Sequence, residues 1–424
     1  MTQVRKAIII GAGPAGLSVA LRLHQTTNIK CTIYELRPEP TTLGGAIGIP
    51  SNGLRLLDRL SSGLYQSLLE RGSSRSDLAL YSRNGSILAQ DEDLVSNARA
   101  ETGYGYMRVK RVDVVDVLLK AVQEARIPVH FGKRATKIKE RGDGVTVTFA
   151  DGTDQTADIL LGCDGIHSAV RQLYVDPDQK PEYSGLSGMM SIIPTAKLST
   201  TVGKQMRGLN ATFTEDGMFM AAPCTADASE VYWGFQREIP LPDTHDTRDG
   251  WEVQGRQEIN GSKSSLHAVL AEARGDFNDI LRELVDQTEV MKFYPVYRLP
   301  LGGKWNRGRC VLIGDAAHAM QPHAGQGVSM ALEDGFLISR LLADPTRSVE
   351  EACASFQRIR TPRVEEIYRT ASDNAGARKK AGPWGQWLKE IVIWASFSMP
   401  RGLGPQNRML GQKYVVYDID EEKI

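Results

Sequence analysis

At the start of the chain, apolar positions switch between two spacings. Residues 4–10 are an almost unbroken β-branched run and predict a buried strand. Residues 14–26 place Leu17, Ala20 and Leu21 at helical spacing, and residues 31–35 form a second strand. Strand, helix and strand within about thirty residues predict a βαβ unit. Residues 51–60 read as a short helix, 113–125 as a longer one, and 78–90 as a hairpin about Asn84-Gly85. A second hairpin turns at Asp151-Gly152 and leads into an apolar strand before Asp164-Gly165. From 180 to 298 the texture changes to longer strand-like runs, such as 217–223 and 230–235, with helices at 262–274 and 277–288. Residues 309–315 return to a buried strand, and helix follows to the end. The expectation is an α/β protein: a Rossmann-like domain in two pieces (1–179 and 299–375), an interleaved β-sheet domain (180–298), and a C-terminal helical segment (376–424).

The first strand runs into Gly11, Gly13 and Gly16, spaced G-x-G-x-x-G. In such a turn the first glycine permits the bend, the second lets backbone approach a pyrophosphate, and the third lets the helix pack close to the strand. The helix N-terminus offers free N–H groups to the phosphates. Glu35 ends the second strand, where a carboxylate accepts ribose hydroxyls and would repel a 2′-phosphate. A second strand–loop–helix lies at 309–335: four hydrophobic residues end in Gly314-Asp315, and the loop PHAGQG opens a helix near Val328. Asp315 there suits a polyol or ribose hydroxyl.

Three motifs together, GAGPAG with Glu35, LLGCDGIHSAVR (160–171) and LIGDAAHAMQPHAGQG (312–327), resemble in order and separation the single-component (group A) FAD-dependent aromatic monooxygenases. That family includes salicylate hydroxylase, para-hydroxybenzoate hydroxylase and many fungal natural-product hydroxylases, and the resemblance spans residues 4–375. It implies resident FAD, with Gly11, Gly13, Ala15 and Gly16 at the pyrophosphate, Glu35 at the adenosine ribose and Asp315 at the ribityl chain or the pyrophosphate region. Gly325, Gly327 and Val328 would line the flavin ring, with Ala46 and Gly48 of the GGAIGIPSN loop beside it. Arg111 would be the FAD-contacting arginine, although Val114 replaces the family's leucine and Arg108 is a neighbouring rival. Asp164, with Gly165, would serve both FAD and the nicotinamide cofactor.

Only one dinucleotide fingerprint is present, so NAD(P)H is expected as a transient co-substrate. The implied cycle reduces FAD with NAD(P)H, adds O₂ to give a flavin C4a-hydroperoxide, and delivers oxygen to a phenolic or polyketide-like aromatic molecule. The hydroperoxide must be kept from water, a task to which Ile47, Ile49, Met320, Pro322 and Val328 are suited. Stabilising a phenolate calls for polar groups in the sheet domain, and Arg207 and Tyr232 are the catalytic candidates, with His245 a further one. Epoxidation of an alkene shares every flavin motif. The halogenase signature W-x-W-x-I-P is not matched by YWGFQREIP (232–240). A non-catalytic binding protein on the same fold, as in the GDP-dissociation inhibitors, would lack the intact set of FAD motifs.

Composition acts mainly by exclusion. The 51 basic and 51 acidic residues cancel, which points away from a nucleic-acid partner. The five scattered cysteines contain no C-x-x-C, so neither a disulfide framework nor a metal site is expected, as suits a reducing, cytoplasmic setting. The apolar run 391–397 is far shorter than the roughly 20 residues of a membrane span. Trp384, Trp387, Ile391 and Trp394 share one face, read as a helix packed on the body, with a lid or membrane-surface contact as the alternative. The basic helix 356–369 is expected to present a solvated face, and His318 to pin its loop.

Overall fold

A computed structural model describes residues 4–40, 44–142, 144–199, 206–240, 252–253, 256–376, 378–398 and 412–424. Lys6–Ile10 is apolar on both faces because it lies inside a parallel sheet, between Lys30–Tyr34 and Ile159–Gly162. Ile159–Gly162 pairs in parallel with Cys310–Leu312, so strands far apart in sequence end side by side in a six-stranded sheet. Helices Pro14–Thr26 and Gly327–Ala343 pack against one another there, close enough that a Cβ on Gly335 would lie 3.3 Å from the Val19 Cα.

A second, eight-stranded sheet holds Glu182–Pro194, Leu209–Phe213, Gly217–Pro223, Glu230–Glu238 and Lys292–Arg298. It is not confined to 180–298. The hairpin Leu78–Tyr81 and Ile87–Asp91 joins it, because Leu78 to Tyr81 pair in parallel with Leu209 to Thr212. One face of this sheet, with Met189, Phe219, Trp233 and Phe235, packs on helices Arg256–Leu270 and Asp276–Asp286. The opposite face carries Gly188, Met190, Tyr232, Gly234, Gln236 and Tyr294 in register across three strands. It meets the first domain, where Lys292 Nζ donates to the Gly44 carbonyl (3.2 Å) and Lys110 Nζ pairs with Glu230 (2.7 Å).

Two expectations for the C-terminal third are corrected. Helix Pro383–Ser398 does not bury its tryptophan face: Trp384, Trp387 and Trp394 are exposed, and the contact runs through Ile393, which packs with Phe213 and Met218. Gln386 Nε2 donates to the Phe213 carbonyl and fixes that rotation. The basic residues of Val349–Gly376 are a solvated face only in part, exposed at Arg358 and Arg369 but not at Arg360 and Arg363. Arg360 is fully buried, 2.8 Å from Glu333 and 2.7 Å from Asp334, and Arg363 grips Glu333 through two bonds of 2.8 and 2.6 Å. Among the described residues no helix is long and apolar enough to cross a membrane.

Burial alone would raise the pKa of Glu333 and of Asp334. The cations outweigh it, Arg363 and Arg360 at Glu333, His318 and Arg360 at Asp334, and both carboxyls end below their usual range. A carboxylate lowered in this way stabilises the fold above its unfolded pKa, and that contribution is lost as pH falls through its folded value. Arg360→Met should therefore cost about 3–5 kcal/mol at neutral pH by stranding the two carboxylates. The deficit relative to the parent should shrink below roughly pH 4, as denaturant melts across pH will measure.

Candidate active site

Three turns converge at the carboxyl ends of adjacent parallel strands, where ligands bind in open α/β sheets. Gly11 takes φ +107°, and a Cβ there would stand 2.4 Å from the Cys163 carbonyl, so the first turn rests on the Asp164-Gly165 turn. A Cβ on Gly16 would fall 1.9 Å from the Gly11 carbonyl. Gly314, at φ +62°, faces Ala15, with 3.3 Å between its would-be Cβ and the alanine methyl. Any bulkier residue at either position would force these turns apart.

The groove between the turns carries the features of an anion and polyol site. A Cβ on Gly13 would meet nothing within 4 Å, and the same holds at Gly325 and Gly327. Helix Pro14–Thr26 has no side-chain cap and no acidic residue in its first turn, which leaves its N–H groups for an incoming phosphate. Glu35 accepts the backbone N–H groups of Ala12 (2.8 Å) and Arg37 (3.0 Å), so the carboxylate also shapes the turn. Among the described residues the Arg111 guanidinium has no hydrogen bond or ion pair. Burial lowers its pKa and the nearby Asp315 partly restores it. Asp315 opens the short helix Asp315–His318 with its side chain exposed. Asp164 Oδ2 accepts the N–H groups of Ala169 (2.6 Å) and Val170 (3.2 Å), while Oδ1 is buried without a partner, and burial raises this carboxyl. An unpaired, half-buried guanidinium, open glycine faces and an uncapped helix end fit a dinucleotide pyrophosphate.

Polar side chains beneath the groove lock its second turn. Asp334 Oδ2 accepts from the Gly314 N–H (2.8 Å) and lies 2.7 Å from His318 Nε2. Asn52 Nδ2 donates to Gln326 Oε1 (2.9 Å) and Glu333 Oε1 (2.8 Å), which fixes the residue before Gly327. Arg171 donates to the carbonyls of Ala316 (2.8 Å) and Ile166 and so ties the Asp164-Gly165 turn to the Asp315 helix.

Opposite the groove lies the inner face of the large sheet. The antiparallel strands Ala46–Pro50 and Tyr106–Lys110, a two-stranded sheet, pair Gly48 with Arg108 and stand between the two domains. A Cβ on Gly45 would be 2.6 Å from the Tyr232 ring and 2.4 Å from Met190 Sδ. Tyr232 lies against Gly234, and Tyr294 covers Gly188, so two glycines on neighbouring strands make room for two phenol rings. The Tyr232 hydroxyl has no hydrogen-bond partner among the described residues. Burial first, then the neighbouring Tyr294, raises its pKa far above the ordinary phenol value, so it is a neutral donor.

A family model described as FAD binding domain matches residues 4–269 and 298–371. The 6-hydroxynicotinate 3-monooxygenase of Pseudomonas fluorescens is 31% identical over 389 residues, covering 90% of this chain and 94% of that protein. The chain belongs to the group A FAD-dependent aromatic monooxygenases. It is an FAD-dependent hydroxylating enzyme, and resident FAD is its cofactor. The salicylate hydroxylase of Pseudomonas putida is 27% identical, covering 86% of this chain and 83% of that protein. The fold is that of Klebsiella pneumoniae HpxO, solved with FAD and uric acid, at a TM-score of 0.79 and 22% identity over 97% of each chain.

In this monooxygenase the fold brings Gly11, Gly13, Ala15, Gly16, Glu35, Arg111, Asp164 and Asp315 to one groove. Gly48 turns its Cβ direction into the Tyr106 hydroxyl, 2.2 Å from a would-be methyl, so only its backbone and that of Ala46 are left to face a ligand. Arg207 is corrected. It sits in a bend before Leu209–Phe213, not within a strand, and is exposed, because Met206 beside it takes the buried side of the chain. His245 lies outside the described residues. Sequence reasoning missed Tyr294, Gln236, Asn52, Arg171 and Arg378. The period-2 pattern Tyr232-x-Gly234-x-Gln236 was the available signal for one of them.

Arg111→Met should lower FAD affinity by about tenfold or more through loss of a charge-assisted contact. Flavin absorbance of the purified variant, titrated with FAD, measures this; occupancy equal to the parent would remove Arg111 from the groove.

Proposed function

We propose that this enzyme hydroxylates an electron-rich aromatic molecule, a phenol or hydroxylated heterocycle, at the expense of NAD(P)H and O₂. The observation that carries the reading is the free Tyr232 hydroxyl, set on a glycine-backed floor against Gly45, which leads into the strand Ala46–Pro50 that borders the FAD groove. Bound FAD, once reduced, supplies the activated oxygen that the protein itself cannot make.

The chain's own residues divide the remaining work. The Gly11–Gly16 turn and Arg111 hold the pyrophosphate, Glu35 the adenosine ribose, and Asp315 the ribityl region. Asp164 borders the same groove from the middle turn. Gly325, Gly327 and Val328 back one side of the flavin ring, and Ala46 and Gly48 the other. Tyr232 donates a hydrogen bond to the substrate's ring oxygen as electron density grows there, and its raised pKa keeps the proton in place through the neutral range. Met190, Ile47 and Ile49 keep water from the reacting carbon. A donor aimed at a ring oxygen favours hydroxylation over alkene epoxidation, which needs none. Relatives named for 6-hydroxynicotinate and salicylate support an aromatic ring of this size.

The test couples NAD(P)H consumption over a panel of phenols and hydroxypyridines to mass analysis for one added oxygen atom. Tyr232→Phe should retain FAD yet lower hydroxylation by roughly 10²-fold, the ordinary worth of one well-placed donor. Peroxide should replace the missing product. Unchanged turnover would remove Tyr232 from the reaction.

A further inference from the structure

Two fully buried arginines in this enzyme are held by several acceptors each. Arg360 faces two carboxylates, and Arg171 donates to the carbonyls of Ile166, Gln179 and Ala316. Arg378 is different. It follows helix Val349–Gly376 and donates Nη1 to the Asn374 carbonyl (2.6 Å); Asn374 Nδ2 in turn donates to the His323 carbonyl (3.1 Å). Arg378 is thereby fastened to the Pro322–Ala324 turn that leads into Gly325 and Gly327. Its Nε is buried with no acceptor, and so is His323 Nε2. Among the described residues no carboxylate pairs with Arg378.

The same corner reaches the substrate floor. Gln236 Nε2 donates to the Tyr294 hydroxyl (2.9 Å), while Gln236 Oε1 has no partner. Arg378 stands near enough to Tyr294 and to His323 to act on the ionisation of each. Burial lowers His323 to about 2 and Arg378 to about 10, with Tyr294 partly opposing the latter. At neutral pH the histidine is therefore uncharged and the arginine is the cation of this corner. A buried cation without a counter-ion is costly unless something supplies the missing negative charge. Arg22 and Arg55 also leave a buried Nε without an acceptor, but each pairs with a carboxylate, Asp420 and Asp418, as Arg378 does not among the described residues.

We propose that Arg378 is a specificity-determining residue: its free Nε–H, beside His323 and Tyr294, receives an anionic oxygen of the aromatic substrate, either a carboxylate or an ionised ring hydroxyl. This rests on the reading of the large sheet's inner face, with Tyr232, as an aromatic hydroxylation site. It adds a residue from the C-terminal segment, outside both sheets, and a requirement that the substrate carry negative charge.

The holoenzyme with oxidised FAD is titrated with salicylate, with uncharged salicylamide and with 2-methoxybenzoate, and binding is read from the perturbed flavin spectrum. Salicylate should bind the parent about tenfold or more tightly than salicylamide, the worth of a hydrogen bond to a charged group. In Arg378→Gln that ratio should fall to near one, with FAD occupancy and salicylamide affinity retained, and Arg378→Lys should recover part of it. Parity of 2-methoxybenzoate with salicylate assigns the carboxylate as the anion, and an Arg378-dependent preference for salicylate over the methyl ether assigns the ring oxygen. A ratio unmoved by Arg378→Gln, or a parent blind to all the acids, would overturn the proposal. The two readings fail separately. Charge selection through Arg378 without oxygenated product would sink the hydroxylation, and oxygenated product with an unmoved ratio would sink the role of Arg378.

Discussion

Two consecutive carboxylates shut away from water, Glu333 and Asp334, set the geometry on which the active site depends. Neither could persist there alone, because the cost of burying an unpaired charge far exceeds what packing returns. Arg360 and Arg363 arrive from the following long helix, and His318 and the Gly314 N–H arrive from the turn itself. The pairing fixes the helix that starts at Gly327 against the turn that carries Asp315. Asn52 then extends the same network to the helix that follows the strand Ala46–Pro50. Three separate pieces of chain are thus registered by one set of charges.

Shape follows from that registration. Ala15 can touch Gly314, and Gly11 can rest on Cys163, only if the three turns are held at these separations. The groove they enclose has open glycine faces, an uncapped helix end and an unpaired Arg111, a set of features that a dinucleotide satisfies together and that the polypeptide leaves unsatisfied. The large sheet supplies the opposite wall. Its glycines at 188 and 234 let Tyr294 and Tyr232 lie flat, so the wall is both apolar and able to donate hydrogen bonds. Its anchorage through Lys292 and Lys110 keeps that wall facing the two-stranded sheet of Ala46–Pro50 and Tyr106–Lys110.

The nucleotide half of this arrangement is legible in the sequence because its physics is local. A β-branched run, a glycine triplet and a carboxylate at the next strand end specify one turn, whatever the rest of the chain does. The hairpin at Asn84-Gly85 was equally plain, but its membership of the large sheet was not, since parallel pairing with Leu209 to Thr212 has no local mark. Arg207 misled for a related reason. A cation beside an apolar run reads as part of a strand, and the bend at Gly208, whose Cβ direction is blocked by the Asp77 carbonyl at 2.1 Å, comes from a remote segment. Arg360 read as solvated because its partners lie 26 and 27 residues upstream on another helix. The tryptophans at 384, 387 and 394 show the limit of amphipathic reasoning: periodicity locates a face, and the buried Gln386 decides that it points outward.

The central claim is that remote turns of one chain close around a single FAD, with the tyrosine floor across from its ring. A crystal structure of the holoenzyme tests it most directly. The account predicts the pyrophosphate beside Gly13 and Arg111, the ring between Ala46–Gly48 and Gly325–Val328, and the Tyr232 hydroxyl facing the space above the ring. A pyrophosphate bound away from Gly13, or an Arg111 turned from it onto a protein carboxylate, would contradict it.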